Sequence, residues 1–133
     1  MFRHMGRIVE GGCSVGNGTS GNASGATYHW VAFNEVAGSL DVGSYTGNGA
    51  NNRPITGVGL LPEFVLVRSS STTNARAAAW RTTVLAGNNA MSFTATANDA
   101  TSIRSLAANG FTLGTGVNTN ANTNPYTYLA FRG

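Results

Sequence analysis

The sequence predicts an all-β fold, an antiparallel β-sandwich of jelly-roll-like type. Three observations lead there. Apolar residues alternate with period two over short runs, clusters of Gly, Asn, Ser and Thr separate those runs, and one strand-loop-strand segment occurs twice. Strands of this kind, joined by Gly/Asn turns, number about eight to ten, as expected of a sandwich.

Residues 1–11 read as a short arm with Ile8 and Val9 as its aliphatic pair, and 12–133 as a single sandwich domain. GNGTSGNASGA (16–26) is too polar to pack and reads as a loop. TYHWVAFN (27–34) alternates as a strand, with Tyr28, Trp30 and Ala32 on one face and His29, Val31 and Phe33 on the other. Both faces are largely apolar, so this strand is expected to be covered on both sides. SLDVGSY (39–45) is the next strand, with Leu40, Val42 and Tyr45 turned to the core. TGNGANNRP (46–54) has strong turn chemistry, and a short extended stretch follows at 55–59.

Beyond Pro62, EFVLVRS (63–69) sets Phe64, Leu66 and Arg68 against Val65, Val67 and Ser69. After a polar loop at 70–75, ARAAAWRTT (76–84) has the alanines of a helix. Trp80, Val84 and the flanking threonines favour a strand instead. AMSFTAT (90–96) alternates, and Ile103 and Leu106 mark a short apolar element within 97–108. Asn109-Gly110 turns the chain into a strand at 111–115, and a loop at 116–125 feeds the closing strand at 126–132.

The repeat aligns 13–33 with 111–131 without a gap, at an offset of 98. CSVGNGTSGNASGATYHWVAF lies over FTLGTGVNTNANTNPYTYLAF, and seven of the 21 positions are identical: Gly16/Gly114, Gly18/Gly116, Asn22/Asn120, Ala23/Ala121, Tyr28/Tyr126, Ala32/Ala130 and Phe33/Phe131. Repetition of this kind belongs to modular, array-forming proteins. Val31, Phe33, Leu129 and Phe131 are the expected core of the repeat, so truncating Phe131 to Ala should cost about 3–5 kcal/mol if it is fully buried. The first copy has three possible meanings: a filler of the same sandwich, the remnant of a tandem array, or a strand lent to a neighbour.

Composition narrows the function classes. Only 10% of residues are charged, against roughly 25% in an ordinary soluble domain. Every basic residue is an arginine, and the eight are scattered along the chain, which argues against a nucleic-acid stripe. The single cysteine, Cys13, aligns with Phe111 and reads as an apolar core thiol; one cysteine excludes a disulfide within the chain. No run reaches the ~18 apolar residues of a membrane helix, and MFRHMGRIVEGG has no signal-peptide h-region, so neither membrane insertion nor secretion is expected.

Catalytic patterns are equally sparse. Glu10, Glu35, Asp41, Glu63 and Asp99 are dispersed, His4 and His29 fall in no ligand motif, and no G-x-S-x-G elbow occurs. No catalytic, cofactor or metal residue is assigned. Tyr28, Trp30, Trp80, Tyr126 and Tyr128 are the candidates for glycan or interface contact. Two sequons, at Asn17 and Asn22, arise easily in this composition.

Three ordered motifs carry a resemblance. Gly59, Pro62, Glu63, Phe64, Val65 and Arg68 form the first; Asn109, Gly110, Phe111, Thr112, Leu113 and Gly114 the second; Val117, Asn118, Tyr126, Tyr128, Ala130 and Phe131 the third. Together, over residues 38–133, they resemble a β-sandwich module of phage tail-fibre and other virion-associated structural proteins. STTNARAAAW departs from the polar, His- or Arg-containing stretch that often follows the first motif there.

The resemblance implies a non-enzymatic virion structural protein: a phage capsid-decoration, tail or fibre subunit. Its partners would be copies of itself, other virion proteins and, through surface attachment, cell-surface glycans. The alternatives are a carbohydrate-binding adhesion module, and an extracellular or cell-surface filament subunit that works by strand exchange.

Overall fold

The computed structural model describes residues 8–9 and 12–133. The chain falls into two compact units, one ending at Phe33 and one spanning Asn34–Gly133. This corrects the expectation of one sandwich over 12–133: the sandwich begins after the first copy of the repeat. Most of the expected arm lies outside the described residues.

The second unit is an antiparallel β-sandwich. Its strands are β3 (Leu40–Thr46), β4 (Arg53–Thr56), β5 (Phe64–Ser69), β6 (Ala79–Thr82), β7 (Met91–Ser92), β8 (Ile103–Ala107), β9 (Gly110–Leu113) and β10 (Pro125–Phe131); a one-turn helix, α2 (Val117–Asn120), precedes β10. One sheet has the order β3-β10-β5-β6-β7 and the other β4-β9-β8. The closing strand β10 is therefore central, pairing along seven residues with β3 and along six with β5.

The alternating pattern of each strand explains the core. Val65 and Val67 of β5 and Tyr126, Tyr128 and Ala130 of β10 face inward; Ile55, Ile103, Phe111 and Leu113 answer from the other sheet. The sheets meet ring to ring, with Phe111 edge-on to Tyr128 at 5.3 Å and to Tyr45 at 6.4 Å. Tyr128 fits because Gly43 lies opposite it on β3, and a Cβ there would strike the Tyr128 ring. Its hydroxyl donates to Asp41 at 2.7 Å. Burial, then the Asp41 hydrogen bond and charge, raise the Tyr128 pKa, so the phenol stays neutral.

These contacts correct the predicted core. Leu129 and Phe131 point to the outer face of the five-stranded sheet and are half-buried, while the tyrosines fill the interior. Val42 likewise faces outward, 50% exposed. The strand expected at 90–96 shortens to Met91–Ser92, and the element around Ile103 is the full strand β8.

The first unit contains β1 (Ile8–Val9), β2 (Gly12–Cys13) and a one-turn helix, α1 (Thr19–Asn22). The strand expected at 27–34 is absent: no strand is assigned between Ala26 and Glu35. Val31 and Phe33 are 72% and 50% exposed, so they form no core here. Cys13 is exposed as well, against its reading as a core thiol. The apolar pattern of a central strand exists at 27–33 without any strand to pair with.

Candidate interaction surface

The strands that fill the core leave a second apolar surface on the outside of the five-stranded sheet. Residues directly opposite in register share a face. The pairings Val42–Leu129, Leu129–Leu66, Leu66–Trp80 and Trp80–Met91 form an uncharged row across all five strands. A second row runs Leu40–Phe131–Phe64–Thr82. The rings lie along it: Phe131 stacks on Phe64 at 4.8 Å, Phe64 on Trp80 at 6.0 Å, and Trp80 leans on Phe93 at 6.3 Å. Phe93 is 68% exposed. Val42 is exposed as well, while Phe64, Leu66, Trp80, Met91, Leu129 and Phe131 are half-buried.

The five predicted contact residues separate accordingly. Trp80 stands in the middle of the outer face. Tyr126 and Tyr128 are buried between the sheets and offer nothing to a ligand, correcting their place among the glycan candidates. Tyr28 uses its hydroxyl within its own loop, donating to the Thr19 carbonyl and accepting from the Ala23 amide. Trp30 is 73% exposed. Sequence reasoning missed Phe64, Leu66, Phe93, Leu129 and Phe131 as surface residues, although the doubly apolar pattern of their strands was the available signal.

Polar groups in the sandwich serve the fold. Asn120, fully buried, holds the β3–β4 loop: its Oδ1 accepts from the Asn48 amide and Arg53, and its Nδ2 donates to the Ala50 and Gly114 carbonyls. Arg53 lies over the Tyr45 ring at 5.3 Å. Buried Arg81 donates to the carbonyls of Leu85, Gly87 and Asn89, closing the β6–β7 turn. Asp99 accepts from the Thr101 amide and hydroxyl and from Ser102. Burial raises its pKa, but the hydrogen bonds from Ser102 and Thr101 outweigh that and hold it below the usual range.

A shallow polar hollow lies between the 71–76 loop and residues 121–125; Asn74, Arg76 and Asn122 line it, without an aromatic ring or a carboxylate. Among the described residues, no three His, Cys, Asp or Glu side chains come together as a metal site, and no helix is long and apolar enough to cross a membrane.

Fold and surface together define an antiparallel β-sandwich with an aromatic outer face on its five-stranded sheet. The chain belongs to the family described as a domain of unknown function, DUF7483, whose model matches residues 9–132 and so takes in both copies of the repeat. Searches of the curated proteins and of the solved structures return no significant match.

Proposed function

We propose that the chain is a non-enzymatic structural subunit of a virion, a capsid-decoration, tail or fibre protein that works by assembly. The observation that carries this reading is the uncharged row Val42–Leu129–Leu66–Trp80–Met91 on the outside of the five-stranded sheet. A face with that composition gains by being covered, at roughly 25 cal/mol per Å² of apolar surface removed from water. Copies of this chain or other particle proteins would cover it. The three ordered motifs resembling tail-fibre modules support the particle as the setting.

Mass spectrometry of purified particles from the source of this sequence tests the assignment. The chain should be present in a fixed stoichiometry that survives salt washing. Its absence from every particle fraction, with the chain found free in the lysate, would overturn the reading.

A further inference from the structure

The two copies of the repeat share one hydrogen-bond plan as well as a sequence. In the second copy the Tyr126 hydroxyl donates to Val117 O at 2.6 Å and accepts from the Ala121 amide at 3.0 Å; in the first, Tyr28 does the same with Thr19 and Ala23 at 2.6 and 3.0 Å. Asn120 donates to Gly114 O and Asn22 to Gly16 O, each at 2.8 Å. Thr123 has φ 62° and its counterpart Gly25 φ 74°. The equivalence reaches further back than the sequence alignment: Ile8↔Cys13 and Val9↔Gly12 in β1–β2 repeat Leu106↔Phe111 and Ala107↔Gly110 in β8–β9, at the same offset.

What differs is the surroundings. Gly116 lies against Thr101, whereas among the described residues a Cβ on Gly18 would meet nothing within 4 Å. Asn120 is fully buried, and Asn22 is exposed. β10 lies between β3 and β5, while among the described residues 27–33 pairs with no strand. Yet the inward positions of β10, Tyr126, Tyr128 and Ala130, are matched at 27–33 by Tyr28, Trp30 and Ala32. Among the described residues, the first unit has the parts of a closing hairpin without counterparts of the β3 and β5 that flank β10. In the sandwich of its own chain the slot between β3 and β5 is already taken by β10, and the same holds in every identical copy.

We infer that residues 8–33 are the closing hairpin of a second β-sandwich module of this family, one that lacks its own β8-to-β10 segment. The strand at 27–33 inserts between that module's equivalents of β3 and β5. Two sandwiches are thereby joined through one continuous chain at Phe33–Asn34.

The test builds that module onto the intact chain. Residues 34–105 are placed ahead of residue 8, so that 8–33 falls where 106–131 normally lies. Hydrogen exchange is followed at the 28–33 amides. In the original chain they should exchange at near-unfolded rates; in the extended chain they should slow at least 100-fold, towards the rates of 126–131. Ala32→Arg, at the position equivalent to the inward, buried Ala130, should abolish that protection while leaving 126–131 protected. The inference is overturned if 28–33 stay unprotected in the extended chain, whether or not the added strands fold. It is also overturned if protection persists with Ala32→Arg.

Discussion

Tyr28 and Tyr126, 98 residues apart, make the same pair of hydrogen bonds: each hydroxyl donates to the carbonyl nine residues earlier and accepts from the amide five residues earlier. One is buried in the sandwich and the other is 40% exposed. The loop geometry therefore comes from local sequence, and the burial from what surrounds it. Tyr126→Phe should lower stability by about 1 kcal/mol, since the part-buried bonds to the Val117 carbonyl and the Ala121 amide are lost. Tyr28→Phe should leave the unfolding midpoint of the sandwich unchanged. Chemical denaturation of both variants checks the pair.

Core and outer-face aromatics should separate in the same way. Phe111 is 1% exposed and touches both Tyr45 and Tyr128, so Phe111→Ala should cost about 3–5 kcal/mol. Phe131→Ala, on the outer face, should cost clearly less in the monomer, and Phe33→Ala nothing measurable. Equal losses at Phe111 and Phe33 would contradict the core described above.

Asn120→Ala removes the residue that holds the β3–β4 loop. It leaves the Ala50 and Gly114 carbonyls and the Asn48 amide without that partner. A loss of about 1–3 kcal/mol is expected, because the Gly114 carbonyl is left unsatisfied in the interior. Amide exchange should accelerate across 47–52. Asn22→Ala should have no such effect on the sandwich.

Asp99 gives the fold a pH dependence. Its pKa is depressed in the folded state, so its contribution is present above the unfolded carboxylate value of about 3.9 and is lost as pH falls through the lower folded value. Stability of the native chain should fall below about pH 4 more steeply than that of Asp99→Asn. Thermal melts between neutral and acid pH measure the difference.

Much of the sandwich was legible in the sequence. β3, β5, β6, β9 and β10 lie within a residue or a few of where alternation and turn chemistry put them, and the repeat proved real in its hydrogen bonds. The inward face of β10 was not legible. Tyr126, Tyr128 and Ala130 alternate with Thr127, Leu129 and Phe131, and both sets are apolar enough to be core. Period two assigns residues to faces but does not say which face meets the second sheet. That choice rests on distant partners: Gly43 makes room for Tyr128, and α2 supplies the carbonyl for Tyr126. The segment 27–33 shows the same limit. Its pattern is that of a central strand, but a strand needs neighbours, and local sequence does not record whether they are present. The outer aromatic face went unnoticed for the converse reason: rings on alternate positions look like core until the register shows which of them turn away from the second sheet.

The central claim, assembly through the outer face of the five-stranded sheet, is tested most directly by light scattering of the purified chain over a concentration series, beside Leu129→Asp. Leu129 sits in the uncharged row between Val42 and Leu66 and outside the sandwich core. The native chain should reach a defined oligomer as concentration rises, and Leu129→Asp should remain monomeric with an unchanged circular dichroism spectrum. A native chain that stays monomeric at the highest concentration, or a Leu129→Asp variant that forms the same oligomer, would contradict the account.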